Sequence, residues 1–215
     1  MTVHLTKYGI SYFGVPKVAC TSLKLFFFEV ENGFAFRPFQ ANGVKKHIHV
    51  AAYPTVPFKN WKPDRYLGHW KIAVVRNPVQ RLLSCYSNRV LVHGELDNIV
   101  LTEEDIANGM TTRPDLHKFL EHFHRYRELA PSIAHHSDRM VDFLGANADF
   151  FDRIYSIREL DQLALDVSDR VGESLQIPRE QTGGPKIGQD ALTSKEKKLL
   201  RRFYEEDFAA FGDYF

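Results

Sequence analysis

Cationic and hydroxyl side chains occur together in two short segments of the chain, residues 15–22 and residues 76–86. The first reads Val-Pro-Lys-Val-Ala-Cys-Thr-Ser, and the second reads Arg-Asn-Pro-Val-Gln-Arg-Leu-Leu-Ser-Cys-Tyr. Each segment follows an apolar run typical of a strand and opens a run typical of a helix. A loop in that position binds anions, because free backbone N–H groups and the helix dipole point at the ligand. The two segments therefore predict a site that holds two phosphate-like groups at once.

The first segment differs from the Walker A loop, Gly-x-x-x-x-Gly-Lys-Ser/Thr, because its lysine precedes its hydroxyls. Thr21 and Ser22 follow Lys17 at spacings of four and five residues. We therefore expect the lysine to approach an anion from the strand and the hydroxyls to approach it from the helix N-terminus. Taken singly, Lys17 could be a solvated lysine at a strand end and Thr21 only a helix N-cap.

Residues 16–21 resemble the sulfotransferases that use 3′-phosphoadenosine 5′-phosphosulfate, in particular the Golgi carbohydrate-sulfotransferase branch. That branch has Pro-Lys-Val-Ala-Cys-Thr as its 5′-phosphosulfate motif, and all six residues are present here. The resemblance implies an α/β protein with a P-loop-like sulfotransferase fold, in which helices flank a central, mostly parallel sheet. It also implies a donor-binding loop that consists of Lys17, Val18, Ala19, Cys20, Thr21 and Ser22.

The second segment is similar to the family's 3′-phosphate motif, Arg-x-x-x-x-x-x-x-Ser, within Arg-Asn/Asp-Pro-x-x-Arg-Leu-x-Ser-x-Tyr. The resemblance implies that Arg76 and Ser84 bind the 3′-phosphate. An arginine at a strand end can fork onto a phosphate, and Ser84 lies about two helical turns from Pro78. Arg81 either shares this role or pairs with an acidic neighbour.

The resemblance continues along most of the chain. Residues 204–212, Tyr-Glu-Glu-Asp-Phe-Ala-Ala-Phe-Gly, look like the family's Tyr-x-x-Asp-Phe-x-x-Phe-Gly ending. Thr182, Gly183 and Lys186 lie where the family has a late loop that closes over the nucleotide. An ordinary flexible surface loop is the alternative for these three residues.

Sulfuryl transfer needs a base for the acceptor hydroxyl. His49 is the predicted catalytic base, because related carbohydrate sulfotransferases place a histidine or carboxylate between the two motifs and an imidazole pKa of about 6.5 suits proton abstraction. The alternation of polar and apolar residues at 46–50 predicts a short strand or extended arm, which puts His47 on the opposite face from His49. His47 and His136 are predicted substrate contacts, and Met140 stands where the family's segment after His136 has glutamine. A surface histidine is the alternative for each.

The predicted function is transfer of a sulfuryl group from 3′-phosphoadenosine 5′-phosphosulfate to a hydroxyl acceptor, with a saccharide as the expected acceptor. Positioning of the donor and the acceptor hydroxyl should contribute most to the rate. Lys17 and the Thr21/Ser22 loop should stabilise the negative charge that builds on the 5′-phosphate. No metal ion is expected, because the sequence has no Asp or His cluster at ligand spacing.

Two other functions stay open. A P-loop kinase with a divergent phosphate loop would bind ATP with Mg²⁺, although the missing Walker A glycine and terminal Lys-Ser/Thr count against it. A non-catalytic nucleotide- or glycan-binding module of the same fold would bind its ligand without turnover. Transfer of radiolabelled sulfate to a panel of glycans separates this module from an enzyme.

Alternating strands and helices are expected to position these residues. Aromatic and β-branched runs predict strands at residues 8–15, 70–76 and 153–157. Helical periodicity and caps predict helices at residues 22–32, from 78 to about 93, from 102, at 115–129, at 160–171 and from the capping box at 193–196 to near 207. Residues 33–46 predict a loop.

Length and composition limit the class of protein. The 215 residues predict one sulfotransferase domain over residues 1–215. A net charge of +1, from 28 basic and 27 acidic residues, argues against a nucleic-acid partner. Cys20 and Cys85 lie inside the two motifs, which favours a reducing compartment over a disulfide framework. No signal core and no run of about 18 apolar residues is present, so we expect no transmembrane segment in this chain and a cytoplasmic location if the chain is full length. A membrane anchor outside this sequence is the alternative.

Overall fold

The computed structural model describes residues 2–180 and 183–215. The strands are β1 (Thr2–Leu5), β2 (Ile10–Phe13), β3 (Phe39–Ala41), β4 (Val44–Lys46), β5 (Trp70–Val75) and β6 (Arg153–Ser156). The α-helices are α1 (Cys20–Asn32), α2 (Ile48–Ala51), α3 (Pro78–Cys85), α4 (Glu103–Ala107), α5 (Leu116–Glu121), α6 (Phe123–Leu129), α7 (Pro131–Ser137), α8 (Val141–Leu144), α9 (Leu160–Val171), α10 (Ser194–Phe203) and α11 (Glu205–Phe211). A π-helix, Tyr86–Val92, continues α3 directly.

The main sheet has the strand order β1-β2-β5-β6. β2, β5 and β6 run parallel, with Tyr12 opposite Ile72 and Val74 opposite Tyr155, and β1 pairs antiparallel with β2. This mostly parallel sheet confirms the predicted α/β class. The carboxyl ends of β2 and β5 consequently lie side by side, at the edge where α/β folds place their ligands.

The chain divides into two compact units. The first consists of Met1–Arg76, Arg139–Glu180 and Ala209–Phe215, and the second consists of Asn77–Asp138 and Gln181–Phe208. The main sheet belongs to the first unit. The prediction of a single domain over residues 1–215 stays a prediction.

In the first unit, apolar side chains cover both faces of the sheet. On one face, Tyr12 packs in a cluster with Phe27 of α1 and Leu163 of α9. On the other face, Phe13 packs in a cluster with Phe143 of α8. Burial of a side chain of this size stabilises a fold by about 1.5–3 kcal/mol. The helices that cover the sheet therefore hold its carboxyl edge in place.

The second unit is helical. Its core cluster contains Leu82 and Leu83 of α3, Phe119 of α5, Tyr126 of α6 and Leu200 of α10. The buried Tyr126 hydroxyl donates a hydrogen bond of 2.7 Å to the carbonyl oxygen of Thr111, so its polar end is satisfied inside the cluster. This core fixes α3, which carries most of the second anion motif.

Most of the predicted elements are confirmed. β2, β5 and β6 lie within the predicted strands, and α9 has the predicted bounds. α1 ends where predicted, because Gly33 adopts the left-handed conformation at φ 74° that terminates helices. The predicted capping box starts α10, with Thr193 and Glu196 each bonded to the other's backbone N–H.

Several predicted boundaries are wrong. Residues 115–129 form two helices rather than one, because the backbone leaves the helical region at His122, and the final helix divides in the same way at Tyr204. Residues 33–46 contain the hairpin of β3 and β4. Sequence analysis also missed β1, whose four residues, Thr-Val-His-Leu, alternate polar and apolar over too short a length to stand out.

Residues 184 and 185 of the late loop contact the π-helix inside the second unit. Ser87 of the π-helix donates a hydrogen bond of 2.7 Å to the carbonyl oxygen of Pro185. Gly184 has φ 111°, and a Cβ added there would lie 2.5 Å from Ser87 Oγ and 2.9 Å from its carbonyl oxygen. Glycine is therefore required at this contact for both conformation and space.

Gly184→Ala is expected to destabilise the protein by about 2 kcal/mol, because it combines an unfavourable φ with a backbone clash. The urea midpoint measures this loss. Gly183→Ala is the matched control in the same loop, since its Cβ would meet nothing closer than 4.0 Å. Equal midpoints for the two variants would contradict the anchoring of the loop at Ser87.

Candidate active site

The loop after β2 contains two non-glycine residues in the left-handed conformation, Lys17 at φ 66° and Ala19 at φ 57°. Such a residue costs about 1–3 kcal/mol and persists where the surroundings over-determine it. The backbone here is well enclosed, since Val15, Pro16 and Val18 are all buried and Lys17 is only 9% exposed. The strained loop is therefore held in one shape immediately before α1.

The N-terminus of α1 is open to an anion. Its N-cap residue is Ala19, and no side chain among the described residues caps it. The first-turn N–H groups of this 13-residue helix therefore point their partial positive charge at the loop. This is the arrangement that binds phosphate and sulfate groups, so the residues present fit the phosphosulfate end of the expected donor.

A hydrogen bond joins the two predicted anion motifs within the first unit. Arg76 Nη1 donates to the carbonyl oxygen of Lys17 at 3.3 Å. Arg76 directly follows β5, and Lys17 lies four residues after the end of β2. Because β2 and β5 are parallel neighbours, their loops meet at one edge of the sheet. The structure thus places the Arg76 guanidinium against the backbone of the Lys17 loop.

His49 lies at this loop, but on a helix rather than a strand. Residues 48–51 form α2, since the carbonyl oxygen of His47 accepts hydrogen bonds from Val50 N at 2.9 Å and Ala51 N at 2.8 Å. The prediction of an extended arm over residues 46–50 is therefore wrong for residues 48–50. His47 and His49 are consequently not on opposite faces: their ring centroids are 5.7 Å apart, with His47 exposed and His49 half-buried.

A chain of side-chain hydrogen bonds runs from the loop through His49 into the core. Thr21 Oγ1 lies 2.9 Å from His49 Nε2, and His49 Nδ1 lies 3.0 Å from Lys24 Nζ. Lys24 Nζ also donates to Thr55 Oγ1 at 2.9 Å. Thr21 and Lys24 are three residues apart on α1 and so share one face of the helix. The predicted base is therefore bonded directly to the predicted donor loop.

Lys24 is the functional candidate that sequence reasoning missed. It is fully buried, and this burial lowers the pKa of its ammonium group to about 8, partly opposed by the nearby Cys20. The available signal was a lysine inside the apolar run Leu-Lys-Leu-Phe-Phe-Phe. A charged residue inside such a run is rarely buried without a partner.

Two other loop residues, Cys20 and Ser22, lie in the first turn of α1. The hydroxyl oxygen of Ser22, which is buried, accepts a hydrogen bond of 3.1 Å from Glu180 N. Cys20 is a half-buried free thiol at the first position of α1. Both residues keep their predicted place beside the α1 N-terminus, and their contact with a donor stays a prediction.

The remainder of the second motif belongs to the second unit. Asn77 caps α3, its Oδ1 accepting from Val79 N at 3.1 Å and Gln80 N at 3.2 Å. Arg81 is fully buried and donates to the carbonyl oxygen of Asp138. Ser84 is half-buried on α3. The role of Arg81, toward the phosphate or toward an acidic neighbour, and the phosphate contact of Ser84 stay predictions.

The late loop and His136 also lie in the second unit. Gly183 and Lys186 are exposed, and Thr182 lies outside the described residues. His136 Nδ1 bonds to the carbonyl oxygen of Ser132 at 2.8 Å, one turn earlier on α7. Because a carbonyl only accepts, Nδ1 carries the proton and Nε2 is the ring nitrogen left for other partners.

Comparison with known proteins identifies the family. A sequence model described as the sulfotransferase family matches residues 2–214. The chain belongs to the sulfotransferase family. Comparison with curated proteins and with solved structures gives no match. The family confirms the resemblance seen at the two anion motifs and makes the protein a transferase of sulfuryl groups.

Two absences apply to the described part of this sulfotransferase. None of its helices there has both the length and the apolar character that crossing a membrane requires. Across residues 2–180 and 183–215, no group of three or more His, Cys, Asp or Glu side chains is arranged to hold a metal ion. The cytoplasmic location, the lack of a metal and the lack of a nucleic-acid partner stay predictions.

Proposed function

We propose that this sulfotransferase transfers a sulfuryl group from 3′-phosphoadenosine 5′-phosphosulfate to a hydroxyl group of a saccharide. The observation that supports it best is the hydrogen bond from Arg76 to the Lys17 carbonyl. This bond brings together the two loops whose motifs resemble the 5′-phosphosulfate and 3′-phosphate motifs of the family. A donor with a phosphate at each end of one adenosine suits two linked anion sites.

The two loops divide the binding of the donor, which supplies the sulfuryl group. Lys17, the Thr21 hydroxyl and the open N-terminus of α1 hold the 5′ end and offset the negative charge that builds there as the sulfur–oxygen bond breaks. Arg76 and Ser84 hold the 3′-phosphate, where an arginine fork matches the phosphate oxygens. Thr182, Gly183 and Lys186 close over the nucleotide.

His49 removes the proton from the acceptor hydroxyl. The acceptor oxygen then forms the bond to sulfur, and the electron pair of the broken sulfur–oxygen bond remains on the 5′-phosphate of the departing nucleotide. The bond from Thr21 to His49 supports this role, because it links the base to the loop where the sulfuryl group is expected.

The saccharide acceptor is proposed from the resemblance of residues 16–21 to the carbohydrate branch. Exposed aromatic rings close to His49 in sequence add support, because Phe34 and Phe39 are 61% and 51% exposed and an aromatic face can pack on a sugar ring. His47, which is exposed at the start of α2, and His136 are proposed acceptor contacts.

Lys17→Ala and Arg76→Ala are each expected to weaken binding of 3′-phosphoadenosine 5′-phosphate by at least about tenfold, since a charge-assisted hydrogen bond contributes about 1.5–3 kcal/mol. Isothermal titration calorimetry measures the dissociation constants. Lys59→Ala and Arg153→Ala remove exposed cations of the same types and should bind the nucleotide like the wild type.

Three results would overturn the proposal. They are no nucleotide binding by the wild type, unchanged binding in both site variants, and tighter binding of ATP with Mg²⁺, which a divergent kinase predicts. Transfer of radiolabelled sulfate to a panel of glycans then tests turnover. Nucleotide binding without any transfer would favour a binding module instead of an enzyme.

A further inference from the structure

Lys24, a buried lysine of the first unit, has no role in the proposed reaction, although it bonds to the proposed base. Lys24 lies in the core with no exposed surface, yet its Nζ contacts His49 Nδ1 at 3.0 Å and Thr55 Oγ1 at 2.9 Å. A lysine placed only for packing needs no such contacts. The partner at the other end of this hydrogen-bond chain is Thr21 of the donor loop.

The hydrogen-bonding capacity of an ammonium group determines the proton position on His49. A charged lysine has three N–H donors and no acceptor, so His49 Nδ1 must offer its lone pair to Lys24. A neutral imidazole then carries its proton on Nε2 and donates it to Thr21 Oγ1. In this state neither ring nitrogen of His49 is available to accept a proton from a substrate.

The neutral amine reverses this arrangement. Once Lys24 loses one proton to solvent, its amine has two N–H donors and one lone pair. With one N–H donated to Thr55 Oγ1, the lone pair can accept a hydrogen bond from Nδ1–H of His49. The imidazole proton is then on Nδ1, and Nε2 becomes an acceptor that faces Thr21 Oγ1 of the donor loop. The change removes one proton from the Lys24–His49 pair and breaks no covalent bond other than N–H bonds.

We propose that Lys24 is a positioning residue that decides which nitrogen of His49 carries the proton, and so when Nε2 can accept a proton from the acceptor hydroxyl. The use of Nε2 as the base rests on the proposed function, whereas the proton positions do not. Lys24 acts through His49 and does not itself touch the substrate. The role of Lys24 resembles that of the group that orients the histidine in a catalytic triad.

The surroundings make this exchange accessible near neutral pH. Burial lowers the pKa of Lys24 to about 8, whereas a lysine in water remains charged to about pH 10.4. The Thr55 hydroxyl opposes the effect of burial, because its oxygen accepts a hydrogen bond from the charged amine and so stabilises the charged form of Lys24. Among the described residues, Cys20 on α1 partly opposes the lowering of the Lys24 pKa, and the ring of His47 at the start of α2 lies 5.7 Å from that of His49.

Nitrogen-15 NMR of the wild-type protein tests the proton positions without any activity. Long-range ¹H–¹⁵N correlation spectra distinguish a protonated from a bare ring nitrogen, and the His49 signals are those lost in His49→Asn. We expect the proton on Nε2 at pH 7 and on Nδ1 above pH 9, with a midpoint of about 8 that belongs to the pair. A histidine whose tautomer is unchanged between pH 7 and 9.5 would overturn the proposal.

Thr55→Val tests the direction of the effect. Valine matches threonine in shape but accepts no hydrogen bond, so the charged form of Lys24 loses one partner. We expect the NMR midpoint to move to lower pH, by about half a pH unit or more. An unmoved midpoint would show that the transition does not report on Lys24 and would overturn the proposal.

The pH dependence of kcat tests the consequence for catalysis. In the wild type, kcat should rise with pH with an apparent pKa of about 8, whereas in Lys24→Met the rise should move at least one pH unit lower, toward that of an isolated imidazole. A purely structural role for Lys24 predicts a lower kcat at every pH, with the rise of kcat at the same pH as in the wild type. If no acceptor is sulfated at all, the proposed function fails, while the NMR result still decides the role of Lys24 toward His49.

Discussion

His49→Asn is expected to lower kcat by about 10²–10⁴-fold, which is the usual contribution of a positioned base. Asparagine is chosen because its side-chain oxygen can take the place of Nδ1 and still accept from Lys24, so the buried amine keeps a partner. Nucleotide binding should change by less than about threefold, since Lys17 and Arg76 remain in place. Transfer of radiolabelled sulfate and calorimetry measure the two effects separately.

The control for His49→Asn is His93→Asn. His93 is an exposed histidine of the second unit, outside every motif discussed above, and its replacement should leave kcat unchanged. A kcat within tenfold of the wild type for His49→Asn, together with normal nucleotide binding, would show that another group is the base. Loss of nucleotide binding in that variant would instead show that His49 mainly supports the donor loop.

Lys24→Met is expected to change how the stability of the protein depends on pH. The pKa of Lys24 is about 8 in the folded state and 10.5 in the reference state. Below pH 8, Lys24 is charged in both states and the full cost of its burial is present. Between pH 8 and 10.5 the unfolded state binds more protons than the folded state, so the stability contributed by Lys24 rises with pH.

The expected rise is about 3 kcal/mol over this range, at about 1.4 kcal/mol per pH unit of the pKa difference. It appears in the free energy of unfolding of the wild type minus that of Lys24→Met, measured by urea denaturation at several pH values. Methionine has a similar length and no charge, and titration of the tyrosines affects both proteins alike. A difference that stays constant from pH 7 to 10 would contradict the burial of a titrating amine at this position.

The secondary structure could be predicted wherever local signals were strong. α9 has the predicted bounds because an apolar stripe on the helix ends at Gly172, which adopts φ 78°. The alternation over residues 46–50 was misleading, because Ile48 is the one buried residue there and a single turn of helix can also bury it. Likewise, the break at His122 carries no glycine or proline that would mark it in the sequence.

The candidate site could be predicted in part for the same reason. Lys17, Thr21 and Arg76 could be predicted because the cationic and hydroxyl side chains of each loop lie close together in the sequence. Lys24 was missed because the apolar run around it indicates burial but does not show which residues its side chain bonds. Its contacts, His49 and Thr55, lie 25 and 31 residues further along the chain.

The sequence by itself determined the two candidate anion-binding loops, the parallel strands that precede them, and the family to which the chain belongs. These depend on short-range features: a strand end, the residues that follow it, and a helix start. The tertiary structure alone decided that Arg76 bonds to the Lys17 loop and that α2 places His49 between Thr21 and Lys24. Such contacts depend on strand order and on burial, because the low-dielectric core, and not the lysine itself, makes Lys24 titrate near neutral pH.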